Sequence, residues 1–346
     1  MYIAQYSKHV LKFKRPSGTS RGILYERPIW LLKISTQSNP SIFGVGECAP
    51  IEGLSIDPIQ EMDNKLSELV ASINEPSDID LTDFPSIQFG LEMALKDLDN
   101  GGQKKLFSNK FTNDEKPIVI NGLIWMEEIS NMRKQIKEKL KLGFNCIKLK
   151  IGALNFEDEY QLLKSLRKEF SENDLEIRVD ANGSFEIKDV SSKLKRLYEL
   201  GIHSIEQPIK TGQYDELKKI CGDSPLAIAL DEELILPRTK SEKHALLAYI
   251  KPKYLVFKPT LLGGFEATKE WIKIANSMQI DWWITSALES NIGLNAIAQF
   301  CGEFECNLPQ GLGTGNLFVS NFKCPLKLNG ELLTYSRNEK WGELIL

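Results

Sequence analysis

Histidine is scarce in this chain, three residues in 346, and none follows His244. Paired cysteines are missing as well. The six cysteines form no C-x-x-C, and most stand beside apolar neighbours, which suits reduced, buried thiols better than a disulfide framework or a zinc site. No apolar run approaches the roughly 18 residues of a membrane span, and the opening MYIAQYSKHV lacks the apolar centre of a secretion signal. The chain is therefore expected in the cytoplasm, away from membranes. Excess basic charge is also lacking: the net charge is −4 and the pI about 5.7, with Lys and Arg scattered, so the broad positive face that nucleic acid requires is not there. What remains is a 42% hydrophobic chain long enough for two structural units, with a small molecule as its expected partner. Monomer and homo-oligomer are both compatible with this composition.

From Lys116 onward one plan repeats, a short β-branched run followed by an amphipathic helical stretch, as in parallel βα units. Eight strands are predicted: PIVING (117–122), NCIKLKI (145–151), LEIRVD (175–180), IHSIE (202–206), LAIALD (226–231), YLVFK (254–258), DWWITS (281–286) and a weak eighth at NLPQGL (307–312). Such units close a TIM-type barrel, here of (β/α)7β form because no standard helix follows the eighth strand. Residues 1–115 read differently. Alternating runs at the start, then helical runs near 58–74 and 86–99, describe an α+β capping domain. The predicted organisation is a cap over 1–115, a barrel over 116–320 and a segment 321–346, containing LKLNGELLTY, that returns to the cap.

Charged residues recur at one phase of these units. The second strand carries Lys148 and Lys150 on one face, the third, fourth and fifth end in Asp180, Glu206 and Asp231, and the sixth ends in Lys258. From Lys150 the spacings are 30, 26, 25 and 27 residues. Side chains alternate along a strand, and functional groups of barrels gather at the C-terminal strand ends. Three carboxylates on adjacent strands, about 4.8 Å apart, would repel one another without a cation between them. Magnesium, a hard ion that takes oxygen ligands, fits this set, with manganese as a substitute, and no Cys or His stands at this rim for a softer metal. Lysines beside such an ion are expected to have lowered pKa values and to serve as bases. Singly, Asp180 could start a turn, Asp231 cap a helix, Glu206 end a strand and Lys258 snorkel; in register across five units they read as one site. His203 has the opposite parity to Glu206 and reads as structural. Arg178 shares the inward face with Asp180, where a salt bridge and a substrate contact are both open.

This pattern resembles the muconate-lactonizing subgroup of the enolase superfamily, and the likeness covers nearly the whole chain. That subgroup has a KxK motif on strand two, matched by Lys148 and Lys150; Asp/Glu/Asp metal ligands, matched by Asp180, Glu206 and Asp231; and a lysine on strand six, matched by Lys258. The absence of histidine after His244 disfavours the mandelate racemase subgroup. Within the subgroup, TSALES (285–290) is similar to the serine-rich SSLES stretch of o-succinylbenzoate synthases, with Ala287 in place of a serine, and GLGTG is similar to their strand-eight loop. Dipeptide epimerases carry DxD where this chain has Gly311 and Gly313. The resemblance implies magnesium-dependent dehydration of 2-succinyl-6-hydroxy-2,4-cyclohexadiene-1-carboxylate, a dicarboxylate, to o-succinylbenzoate in menaquinone biosynthesis. Lys150 would be the base and acid, Lys258 a cation on the opposite face, and Lys148 a hydrogen-bond donor to the developing charge. Substrate contacts are expected from Ser286, Gly263, Gly264, Leu288, Gly311, Gly313 and Arg178, with Pro50, Ile51 and Leu54 of GECAPIEGLS closing the mouth. An N-acylamino acid racemase or dipeptide epimerase is the alternative, since the same two lysines could exchange an α-proton; a non-catalytic protein on the scaffold is the remote one.

Overall fold

A computed structural model describes residues 1–19 and 22–343. The N-terminal unit is a three-stranded antiparallel sheet, β1 (Tyr2–Thr19), β2 (Gly22–Thr36) and β3 (Asn39–Cys48), with helices α1 (Met62–Ala71) and α2 (Pro85–Asp99) on one face. The run IWLL (29–32) in β2 is continuously apolar because both faces are covered. Trp30, Leu32 and Ile34 pack with Leu66, Leu69 and Ala94 of the cap helices, whereas Ile29 and Leu31 join the large core that includes the barrel. In the GVGE of β3, Gly44 and Gly46 let α2 approach closely: a Cβ there would lie 1.9 Å from Ala94 O and 1.8 Å from Gly90 O.

The second unit begins with β4 (Ile118–Val119) and β5 (Gly122–Ile124), then alternates helix and strand: α3 (Ile129–Lys141), β6 (Cys146–Lys150), α4 (Phe156–Glu169), β7 (Glu176–Asp180), α5 (Ile187–Glu199), β8 (Ser204–Glu206), α6 (Tyr214–Asp223), β9 (Ala227–Leu230), α7 (Lys240–Ile250), β10 (Tyr254–Phe257), α8 (Pro259–Leu262), α9 (Phe265–Ser277), β11 (Asp281–Ile284) and α10 (Asn291–Cys301). β5 to β11 form one parallel sheet in sequential order. Its two edges are joined through the eighth position by isolated parallel bridges, Thr285 to Gly311 and Ile120 to Gln310. The chain thus has a modified TIM-type barrel beneath an α+β cap.

The elements differ from the sequence expectation at both ends of the barrel. PIVING divides into two pieces. Ile118 and Val119 pair antiparallel with the tail, and the first barrel strand starts at Gly122. The weak eighth strand is reduced to Gln310 and Gly311, because Gln310 N–H donates to Val119 O and Gly311 N–H to Ile284 O while flanking residues turn away. The tail forms a hairpin, β12 (Leu326–Asn329) and β13 (Leu332–Tyr335), that pairs with β4 rather than with the cap sheet. The tail still touches residues of the first 115, where Tyr335 of β13 packs against Phe111 and Phe322 against His9, and just before it Phe318 bridges Phe13 of β1.

Candidate active site

The register of the parallel sheet places the charged residues side by side. Lys150 on β6 stands opposite Asp180 on β7, and Asp180 opposite Glu206 on β8. Asp231 follows β9 and Lys258 follows β10, both at the same barrel rim. Leu149, between the two lysines, points away into the hydrophobic core. Lys148 Nζ lies 2.9 Å from Asp180 Oδ2 and also donates to Glu206 Oε2. Lys150 Nζ donates to Asp180 Oδ2 at 3.0 Å and to Asn182 Oδ1 at 2.7 Å. Lys258 donates to Asp231. Six buried or nearly buried charges, three of each sign, therefore interlock.

Their electrostatics follow from this pairing. Burial alone would depress the Lys148 ammonium, but Asp180, Glu206 and Asp231 outweigh burial and raise it. Lys258 is likewise raised, with Asp231 the main opponent of burial. Carboxylates are the nearest charges of both lysines. Asp180 falls below the ordinary carboxylate range: burial works against this, but Lys148, Lys150 and Lys258 overcome it. Glu206 moves the other way. Burial comes first and the Asp180 charge adds to it, so its carboxyl stands well above the usual value.

Glu206 also supplies the test of fit for a cation. Its Oε1 is buried and has no hydrogen-bond partner, an expensive state for a carboxyl oxygen unless a ligand completes it. Among the described residues no preformed group of three Asp, Glu, His or Cys side chains surrounds a point where an ion could sit. Asp180, Glu206 and Asp231 are each drawn to lysines instead. The donor set is all oxygen, on three consecutive strands, and suits a hard divalent ion.

The lysines open into a cavity of about 410 Å³ between cap and barrel. Ser286, Leu288, Gly311, Gly313, Ile51 and Leu54 line it; Pro50 is buried beside Ile51. Two expectations are corrected. Gly263 and Gly264 lie outside the lining, since their positive φ values turn α8 into α9 and Gly264 packs on Glu92 of the cap. Arg178 is directed down the barrel, where Nη1 donates to Pro309 O at 2.9 Å, Nε donates to Glu176, and the guanidinium stacks 4.3 Å from the Trp283 ring. His203 stacks on Tyr254 beside Glu176, towards the start of the strands and away from the lysine rim. Glu233 is buried and accepts from Gln207 Nε2 and Gly212 N.

Ser286 is present but committed. Its hydroxyl donates to Glu289 Oε2 at 2.6 Å and accepts from Thr314 Oγ1 at 2.8 Å and Leu288 N at 3.0 Å. That last bond holds Leu288 at φ 63°, a left-handed conformation costly for a branched side chain. Asn182, two residues past the end of β7, and Gln207, directly after β8, are left-handed too. Sequence reasoning missed Asn121, Trp125, Asn182, Glu232, Trp283 and Thr314, all in the lining. Asn182 was findable, since it shares parity with Asp180 two residues on. Trp283 was findable as the inward-facing member of its strand. The others depend on loop paths that no periodicity reveals.

Comparison with known proteins gives a consistent picture. Residues 131–316 match the family model described as enolase C-terminal domain-like, and residues 20–98 match the MenC N-terminal domain. The chain is 42% identical to an o-succinylbenzoate synthase of Desulfotalea psychrophila, covering 96% of this chain and 98% of that one. The crystal structure of MenC from Desulfotalea psychrophila LSv54 superposes with a TM-score of 0.86, at 40% identity over 96% of this chain and 99% of the other. A dipeptide epimerase from Enterococcus faecalis V583, complexed with Mg and the dipeptide L-Leu-L-Tyr, gives 0.84 at 18% identity over 98% of each chain, a likeness of fold alone.

Proposed function

The chain belongs to the enolase superfamily and, within it, to the o-succinylbenzoate synthase family, and from that premise we propose how its own residues perform the dehydration. The reaction of this family converts 2-succinyl-6-hydroxy-2,4-cyclohexadiene-1-carboxylate to o-succinylbenzoate and water, a hydro-lyase step of menaquinone biosynthesis. The observation that carries the proposal is that Lys150 and Lys258, at the ends of the second and sixth barrel strands and half a turn apart, line one cavity, while Asp180, Glu206 and Asp231 stand at the ends of the strands between them.

Members of the superfamily depend on magnesium, and here Asp180, Glu206 and Asp231 would hold the ion, whose charge stabilises negative charge developing on the ring carboxylate. Lys150 as a neutral amine has two N–H bonds, and the two acceptors Asp180 and Asn182 use both. Its lone pair is then left for the cavity. Lys150 removes the proton from the carboxylate-bearing carbon, and the C–H electron pair passes into the ring carboxylate. That pair returns to form the ring double bond as the neighbouring C–O bond breaks. The hydroxide leaves with the proton that Lys150 acquired, so one group on one face serves as base and then acid. Lys258, kept cationic by Asp231, faces the ring from the other side and stabilises the anion by charge and cation–π attraction. Lys148 donates to the same developing charge.

The strand-eight loop argues against a dipeptide epimerase, because a side chain at 311 would meet Thr285 Oγ1 at 2.1 Å, leaving no place there for an acid that anchors an ammonium group. The test is incubation with the cyclohexadiene substrate and magnesium, followed by ultraviolet absorbance as the ring becomes aromatic. Turnover that stops with chelator and returns with Mg²⁺ or Mn²⁺ is the expected result; a chain that racemises N-acylamino acids but leaves the cyclohexadiene untouched would overturn the reading.

A further inference from the structure

Five hydroxyl- or amide-bearing side chains line the cavity: Asn121, Asn182, Thr285, Ser286 and Thr314. Four are already committed within the protein. Asn182 bridges Lys150 and Glu232, Thr285 donates to Gly311 O, Ser286 donates to Glu289 and Thr314 donates to Ser286. Asn121 differs. It is 4% exposed, its Oδ1 is closed off from solvent, and neither amide atom has a partner among the described residues. A buried amide left unpaired is costly, so such a group in a cavity wall marks where a ligand completes the bonding.

The residue is also fixed in place. Asn121 N–H donates to Gln310 O at 2.9 Å, at the junction of the eighth and first barrel positions. A Cβ on Gly313 would lie 3.6 Å from Asn121 O, so the glycine-rich strand-eight loop is its immediate neighbour. The lysines and carboxylates occupy the second to sixth strands and fix the reacting carbon and ring carboxylate there. The succinyl arm must then extend into what is left of the cavity, towards the seventh, eighth and first positions. Gly311 and Gly313 leave room on that side, and Asn121 is the amide that faces it.

Resting on the o-succinylbenzoate synthase reading, we infer that Asn121 is a substrate-binding residue that sets specificity for the succinyl arm. Its Nδ2 donates to an oxygen of that arm. Rotation of the amide by half a turn exchanges Oδ1 and Nδ2, so an acceptor on the ligand selects the orientation that presents the donor.

The test compares two ligands on the magnesium-loaded enzyme: o-succinylbenzoate, and benzoate, which keeps the ring and carboxylate but lacks the arm. Asn121→Asp preserves shape and removes the donors; Asn121→Ala removes the whole amide. Each should weaken o-succinylbenzoate by about tenfold or more while benzoate binding stays within twofold. The KM for the cyclohexadiene should rise more than kcat falls. Equal losses for both ligands, or no loss for either, would overturn the inference and leave the dehydratase reading intact. A wild-type enzyme that neither turns over the cyclohexadiene nor binds o-succinylbenzoate would overturn both.

Discussion

Lys150 and Lys258 differ in what surrounds them, and that difference predicts distinct phenotypes. Lys150 has two fixed acceptors and an open side, whereas Lys258 is held by a single carboxylate that keeps it cationic. Lys150→Ala should therefore abolish dehydration, because base and acid are lost together. Lys258→Ala should slow it by removing charge from the opposite face. Exchange separates the roles more sharply than turnover does. If an N-succinyl amino acid exchanges its α-proton in deuterated water on this enzyme, Lys150→Ala should stop exchange from the enantiomer whose proton faces Lys150, as read by NMR. A Lys150→Ala enzyme that dehydrates at near wild-type rate would remove it from the mechanism. Lys258→Arg keeps the cation but alters its shape, so it is not a neutral replacement.

At the scale of elements, Asp57 secures the start of α2. Its Oδ1 accepts from Ser86 N at 3.0 Å and Ser86 Oγ at 2.5 Å, while burial, opposed by those bonds, pushes its carboxyl up to about 6. The sign of the pH effect follows. The unfolded chain releases this proton near 3.8, so between about pH 4 and 6 the folded state binds more protons than the unfolded one. Stability then falls as pH rises through that window and levels off above it, by an amount on the order of 2–3 kcal/mol for this group. Asp57→Asn should remove that component of the slope. Urea titrations of both proteins at pH 4.5 and 7 measure it, and parallel slopes would show that Asp57 is not the group responsible.

Across the whole molecule, the cap is joined to the barrel by two buried or largely buried carboxylates at helix starts. Glu92 of α2 accepts from Phe265 N at 2.6 Å at the start of α9. Glu47 of β3 accepts from Ser290 N and Gly293 N, both at 2.8 Å, at the start of α10, and from the Ser290 hydroxyl. Negative charge at a helix N-terminus is favourable and satisfies orphan N–H groups. The two joints differ in what they adjoin. Ser290 follows Glu289, which orients Ser286 in the cavity wall, whereas the Glu92 joint lies away from the lining. Glu47→Ala and Glu92→Ala should each lower stability by about 1–3 kcal/mol. Only Glu47→Ala should also raise KM several-fold. Denaturant melts and steady-state kinetics on the pair decide this; an unchanged KM in Glu47→Ala would detach the cap joint from substrate binding.

The sequence by itself determined the barrel, the cap and the positions of the lysines and carboxylates at the strand ends. Local periodicity sets which face a strand residue takes, and regular βα spacing carries that phase from unit to unit. Lys148, Lys150, Asp180, Glu206, Asp231 and Lys258 were legible for that reason. Only the tertiary structure decided the rest of the cavity. Gly263 and Gly264 resemble a backbone approach to ligand yet serve a helix junction, and Arg178 has the right parity but points down the barrel against Trp283. Ser286 has the right chemistry, but its proton is committed to Glu289. Asn121 carried no signal because its exceptional property is the absence of a partner. Alternation along a strand fixes direction, but hydrogen-bond commitment is settled by groups far apart in the chain, once loops and cap have closed around them.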